Sequence, residues 1–232
     1  MKKNKMMRLA SVLLVAVLMS TCAISGTFAK YVTNGTAKSE ARVAKFGVKV
    51  AAEGNLFSTE YTTENTADAA KIGTNSVISS NEDKVVAPGT SGSLTKTMIT
   101  GKPEVAVRVT NEATVTLENW TVEGKFYCPI VITVNGTEVD TSDCENAEQF
   151  SAAVKTAIDA TTAEYEANTD FGNLTEAQAA KGLSVSWKWP FYTDDGADIK
   201  DTALGDAAAG IPEDAQAATI SINVTTTVTQ ID

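Results

Sequence analysis

The sequence predicts a mainly β fold: a jelly-roll-like β-sandwich carrying one inserted amphipathic helix and a short second helix. Three observations lead there. Apolar and polar residues alternate in several separate runs, the spacing of half-buried strands. Turn dipeptides punctuate those runs. One long stretch instead repeats its apolar residues at helical spacing. Many strands, one principal helix and polar turns suit two packed sheets. No solenoid-length repeat and no Pro-rich linker interrupts the chain, so residues 30–232 read as a single secreted domain behind a signal peptide, residues 1–29.

The signal is read from its chemistry. Lys2, Lys3, Lys5 and Arg8 form a cationic head, followed by the largely apolar run Leu9 to Ile24, with no acid before Lys30. Thr27 and Ala29 supply the two small residues that signal peptidases read, which places cleavage between Ala29 and Lys30. The run is shorter than the roughly 20 continuous apolar residues of a membrane anchor. Met19-Ser20-Thr21 is a poor approach for lipidation of Cys22, so membrane contact is expected only in transit. Losing those four basic residues takes the formal charge from −10 to −14. That balance disfavours nucleic acid and anionic lipid as partners.

The elements follow in order. Ala44, Phe46, Val48 and Val50 share one face of a strand running from Ala41 to Val50, with Lys45 and Lys49 opposite. Residues 51–83 are polar loops with one or two edge strands around the islands Leu56-Phe57 and Val77-Ile78. Pro88-Gly89 marks a turn before a strand Ser93–Thr100 with Leu94 and Met98 on one side. Val105, Val107 and Val109 alternate, as do Val115 and Leu117 ahead of Trp120. Ile130, Ile132 and Val134 lead to Asn135-Gly136, a strong two-residue hairpin signal, and a return strand Thr137–Val139.

Ser142 with Glu145 can form a capping box. Behind it Phe150, Ala153, Val154, Ala157, Ile158, Thr161 and Tyr165 predict a helix over roughly Ala147–Glu166. A short helix starts at Thr175, with Gln178 three residues on, and stops at Gly182. Leu183, Val185, Trp187, Trp189 and Phe191 then alternate with Ser184, Ser186, Lys188 and Pro190. Such an aromatic row is either core or a carbohydrate platform. Pro190 argues that this strand ends or lies at an edge there. The last strand, Thr219–Ile231, carries Ile220, Ile222, Val224 and Val228 on one face and mostly Thr and Ser on the other.

Chemistry-bearing residues are few. Histidine is absent, which excludes the H-E-x-x-H zinc site and every Ser-His or Cys-His pair. No G-x-S-x-G elbow or phosphate-cradling loop occurs, and no pair among the scattered carboxylates stands out as glycosidase-like. Catalysis is not expected. Cys128 and Cys144, the cysteines left after cleavage, are either a disulfide on the oxidising side of the membrane or two ordinary buried thiols. Residues 193–214 read as a polar acidic loop. Within it Asp194, Asp195, Asp198 and Asp201 are candidate calcium ligands, though without EF-hand spacing; no other cofactor is indicated.

The junction from signal to first strand also carries a resemblance. A signal ending Gly26-Thr27-Phe28-Ala29, followed at once by Lys30-Tyr31, a small-polar spacer and the strand Ala41 to Val50, resembles the TasA and camelysin family. These are biofilm matrix proteins of Gram-positive bacteria, processed by a dedicated SipW-type signal peptidase. Ala87-Pro88-Gly89 running into Leu94-Thr95-Lys96, and the late strand Leu183–Phe191, fit more loosely. The resemblance implies a jelly roll and a secreted, non-enzymatic subunit of a cell-surface or matrix fibre. Its partners would be further copies and related matrix proteins, with the signal peptidase acting during export. The metalloprotease activity ascribed to camelysin finds no histidine here to support it. By the same resemblance the mature N-terminal segment, residues 30–41 and foremost Lys30, Tyr31, Val32 and Thr33, would complete a neighbour's sheet by strand addition. Two alternatives stay open: an inconsequential leader for that segment, and a monomeric adhesin or carbohydrate-binding module for the whole.

Overall fold

The computed structural model describes residues 42–50, 56–62, 75–94, 99–191 and 194–231. Ala44–Asp232 forms one compact unit. The expected cleavage residues Thr27, Ala29 and Lys30 and the segment 30–41 lie outside the described residues.

The fold is mainly β, with three helices among the described residues. In chain order the elements are β1 (Lys49–Val50), β2 (Glu60–Thr62), β3 (Asn75–Ile78), β4 (Ser91–Leu94), β5 (Ile99–Thr100) and β6 (Val107–Glu118). Then come β7 (Thr121–Val122), β8 (Lys125–Phe126), β9 (Val131–Val134), β10 (Thr137–Val139) and helix α1 (Ala147–Asp159). The rest are β11 (Thr162–Tyr165), α2 (Glu176–Ala179), β12 (Val185–Lys188), α3 (Asp195–Ala208) and β13 (Thr219–Gln230).

Two principal antiparallel sheets carry the fold, ordered β10-β9-β12-β4 and β11-β6-β13. Small ladders β1–β5, β2–β3 and β7–β8 complete it. Ala113, Leu117 and Trp120 share one core with Ile130, Ile132 and Val134, with Val185, Trp187 and Trp189, and with Phe150, Val154 and Ile158 of α1. The inserted helix therefore seals the core common to both sheets. A second cluster joins Val107, Val109, Ala163, Tyr165, Phe171 and Ile99. β6 serves both clusters because its odd-numbered residues all face inward.

Local chemistry explains the clear elements. Asn135 and Gly136 have φ of 47° and 82°, the two left-handed residues that this hairpin requires. Thr175 and Gln178 form a reciprocal capping box on α2. The aromatic row is core. Trp187 is 1% exposed and Trp189 6%, Trp187 Nε1 donates to Leu56 O at 2.8 Å, and Tyr61 meets Trp187 edge-on. Gly92 of β4 is fixed by this packing, since a Cβ there would fall 2.2 Å from Leu56 O and 2.6 Å from Trp187 Nε1. The row ends early, however, with Phe191 59% exposed. β12 stops at Lys188 and is a central strand, so Pro190 marks its end and not an edge.

Other expectations are corrected. The stretch from Ala44 to Val50 pairs as a strand only at Lys49–Val50. Gly47 turns left-handed at φ 46° and breaks the alternation, leaving Phe46 40% and Val50 44% exposed. β4 starts at Ser91, two residues before the expected strand, and residues 95–98, Met98 among them, lie outside the described residues. α1 ends at Asp159 instead of running to Glu166. Ala163 and Tyr165 are buried in alternation with Thr162 and Glu164 as β11 pairs with β6; spacing of 158, 161 and 165 satisfies a helical period by coincidence. The cap of α1 is Asn146, whose side chain accepts from Gln149 N, while Gln149 Oε1 accepts from Glu145 N. Ser142 is engaged by Asp140.

The expected acidic loop contains α3. Asp194 caps it by accepting from Ala197 N at 2.9 Å, and Asp195 and Asp198 lie in its first turn, where carboxylates favour the helix dipole. Only Leu204 of this helix is buried. With no apolar stripe, the helix leaves no periodic trace in the sequence.

Candidate functional site

The most unusual surface is the outer edge of β13. This strand runs twelve residues in unbroken antiparallel register with β6, from Thr219 opposite Glu118 to Gln230 opposite Val107. Ile231 N donates to Ala106 O at 3.0 Å in the same register. Antiparallel ladders alternate hydrogen-bonded and non-hydrogen-bonded pairs. The odd-numbered residues therefore turn their N–H and C=O groups toward β6. Those of Ile220, Ile222, Val224, Thr226, Val228 and Gln230 point away from it. Among the described residues no strand pairs with that edge; β1 comes near β13 but pairs with β5.

Long open edges invite pairing with other chains, and proteins usually blunt them with Lys, Pro or bulges. β13 has none of these. From Ala215 to Ile231 the sequence carries no charge, no Gly and no Pro, in a chain where 21% of residues are charged. Its inward side chains, Ile220, Ile222, Val224 and Val228, are half-buried and flank both core clusters. Its outward side chains are Thr219, Ser221, Asn223, Thr225, Thr227 and Thr229, all exposed. Among the described residues, an apolar row that a neighbouring strand would cover is thus left at the rim.

The strand is held by hydrogen bonds from its other side. Asn111, 7% exposed, accepts from Thr226 Oγ1 at 2.8 Å and donates to Thr161 O at 3.3 Å. Past the end of β11, Asp159 Oδ1 accepts from Ala113 N at 2.7 Å, standing where the next strand residue would pair. Asp159 also pairs with Lys155. The bond from Lys155, then that from Ala113, holds its carboxyl below the ordinary carboxylate range. At the top of the sheet Trp120 Nε1 donates to Thr219 O at 2.7 Å. Any assembly through β13 therefore acts on a preformed edge.

The remaining candidate residues serve structure. Asp201 accepts from Tyr127 OH at 2.7 Å and from Trp189 Nε1 at 3.0 Å, docking α3 onto the core. Burial first, then the Asp201 carboxylate, pushes the Tyr127 phenol well above its usual range. Asp194 is spent on the helix cap, and Asp194, Asp195, Asp198 and Asp201 do not converge. Among the described residues no group of three or more acids or cysteines is arranged to hold an ion. The bridge considered for Cys128 and Cys144 is not formed, and both are free thiols. Thr141 lies between them, donating from Oγ1 to Cys128 O while its own carbonyl accepts from Cys144 N. Burial pushes the Cys128 thiol up to about 12.

The edge of β13 and its Asn111 anchor were missed by the sequence reading. The available signal was the uncharged run itself, which length and alternation had already marked as a strand. Compared with protein-family models, curated proteins and solved structures, the chain matches none.

Proposed function

We propose that this is a secreted, non-enzymatic structural protein that assembles by strand addition into a fibre at the cell surface or in the extracellular matrix. Cleavage between Ala29 and Lys30 would free the segment 30–41. Lys30, Tyr31, Val32 and Thr33 of one subunit would then add to a sheet edge of the next, with further copies and related matrix proteins as partners. Signal removal would act as the trigger, because a tethered N-terminus cannot enter a neighbour.

One observation carries this reading: β13 offers a long, uncharged edge, unpaired among the described residues, whose main-chain groups face outward. Main-chain pairing of this kind supplies affinity without demanding a particular side-chain code. The adhesin alternative drew on the aromatic row and the acidic loop; Trp187 and Trp189 lie in the core, and Asp194 of that loop caps α3. Negative-stain electron microscopy of the processed chain, with and without Lys30–Thr36, tests the proposal. The processed chain should form filaments and the deletion variant should remain a folded monomer or small oligomer. Equal filament formation by both would overturn the role of the N-terminal segment.

A further inference from the structure

We propose that β13 also pairs with β13 of a second copy of this chain, antiparallel and centred on Thr225. The two β11-β6-β13 sheets would then join into one continuous sheet. This does not rest on the N-terminal segment; it follows from the self-complementarity of the edge.

Parity fixes the arrangement. The outward main-chain groups belong to even-numbered residues, so a symmetric antiparallel pair must place even residues opposite even ones. The register that overlaps the whole edge puts Ile220 opposite Gln230, Ile222 opposite Val228 and Val224 opposite Thr226. Every outward N–H and C=O from Ile220 to Gln230 then finds a partner. Thr225 falls on the dyad opposite itself, flanked by Asn223 with Thr227 and Ser221 with Thr229. These are favourable cross-strand combinations. On the inner face each copy lays apolar side chains beside the half-buried row of the other, covering what one copy leaves at the rim.

Charge decides between self-pairing and repulsion. The chain is net negative, at −10, and two copies repel at long range. The contact itself brings no charge together, because β13 has none. The nearest acid on the exposed face, Glu112, lies opposite Thr225 on β6. Its copy would sit three strand spacings away, about 14 Å. That exceeds the Debye length of about 8 Å at physiological salt. Association should therefore tighten as salt rises, the reverse of a contact built on ion pairs. Because the edge holds one strand at a time, this pairing and the addition of an N-terminal strand exclude one another.

Cysteine cross-linking tests the register. In the chain carrying Cys22→Ser and Cys144→Ser, Thr225→Cys would place two exposed sulfurs on a non-hydrogen-bonded pair. Their Cα atoms would be about 4.5 Å apart, within disulfide range. Mild oxidation should give a covalent dimer, with or without Lys30–Thr36, while Thr226→Cys, on the inner face opposite Val224, should give none. By sedimentation equilibrium the wild-type chain lacking Lys30–Thr36 should dimerise more strongly at high salt. Thr225→Lys, which sets like charges face to face, should weaken that dimer about fivefold. A wild-type chain that stays monomeric at all salt concentrations overturns the proposal, as does cross-linking by Thr226→Cys equal to that by Thr225→Cys. Failure of the N-terminal deletion to block filaments would leave these outcomes unchanged, so the two proposals fail separately.

Discussion

Thr226 Oγ1 donates to Asn111 Oδ1 at 2.8 Å, directly across the β6–β13 pair. The other end of the same amide donates to Thr161 O, where α1 gives way to β11. One buried side chain thus ties the open-edged strand to the junction between helix and sheet. Asn111→Ala should destabilise by about 1–2 kcal/mol, because it strands a half-buried hydroxyl and a buried carbonyl. A double-mutant cycle with Thr226→Val should show coupling of about 1 kcal/mol in chemical denaturation. Additive effects would mean the pair does not act as a unit.

The aromatic core supplies a larger test. Trp189→Ala should cost about 3–5 kcal/mol, as expected for emptying a buried aromatic site. The loss also removes the Nε1 donor to Asp201, which frees the base of α3. A melting curve that barely moves would be incompatible with Trp189 as core.

Tyr127 reports the docking of α3. Its phenol is raised first by burial and then by the Asp201 carboxylate, so the neutral form is favoured in the fold. That contribution is present below the unfolded value of about 10 and lost as pH rises through the higher folded value. Asp201→Asn should lower the Tyr127 titration in ultraviolet spectra without returning it to about 10, since burial remains. An unchanged titration would remove Asp201 from this role.

Asp159 acts at the opposite end of the pH scale. Its carboxyl is lowered by the Lys155 bond and by Ala113 N–H. The stability it contributes is therefore present above the unfolded value of about 4 and lost as pH falls through the lower folded value. Asp159→Asn should flatten the acid limb of the stability profile, measured by denaturation across pH. An acid limb as steep as in the wild type would assign the loss to other carboxylates.

How far the sequence speaks depends on what each element leaves in it. The Asn135-Gly136 hairpin, the Thr175–Gln178 cap, the buried Trp187 and Trp189 and the long final strand follow from local chemistry and alternation. α3 did not, because a helix held by Leu204 and Asp201 has no apolar stripe to read. β11 did not, because Thr161 and Tyr165 extend the helical period of α1 while their burial is decided by β6. Strand order is likewise non-local. The apolar alternation of Ile220 to Val228 predicts a strand equally well at a sheet's centre or its rim. Only pairing with β6 on one side makes the unguarded edge visible, and with it the candidate site.

The edge of β13 is the centre of this account, and Val224→Pro tests it most directly. The N–H of Val224 points outward, so proline removes a donor that pairs with no strand among the described residues, and edge strands tolerate it there. In negative-stain electron microscopy of the processed chain, this variant should show no filaments while its unfolding midpoint stays close to that of the wild type. Filaments as abundant as those of the wild type, from a variant equally well folded, would contradict assembly through β13.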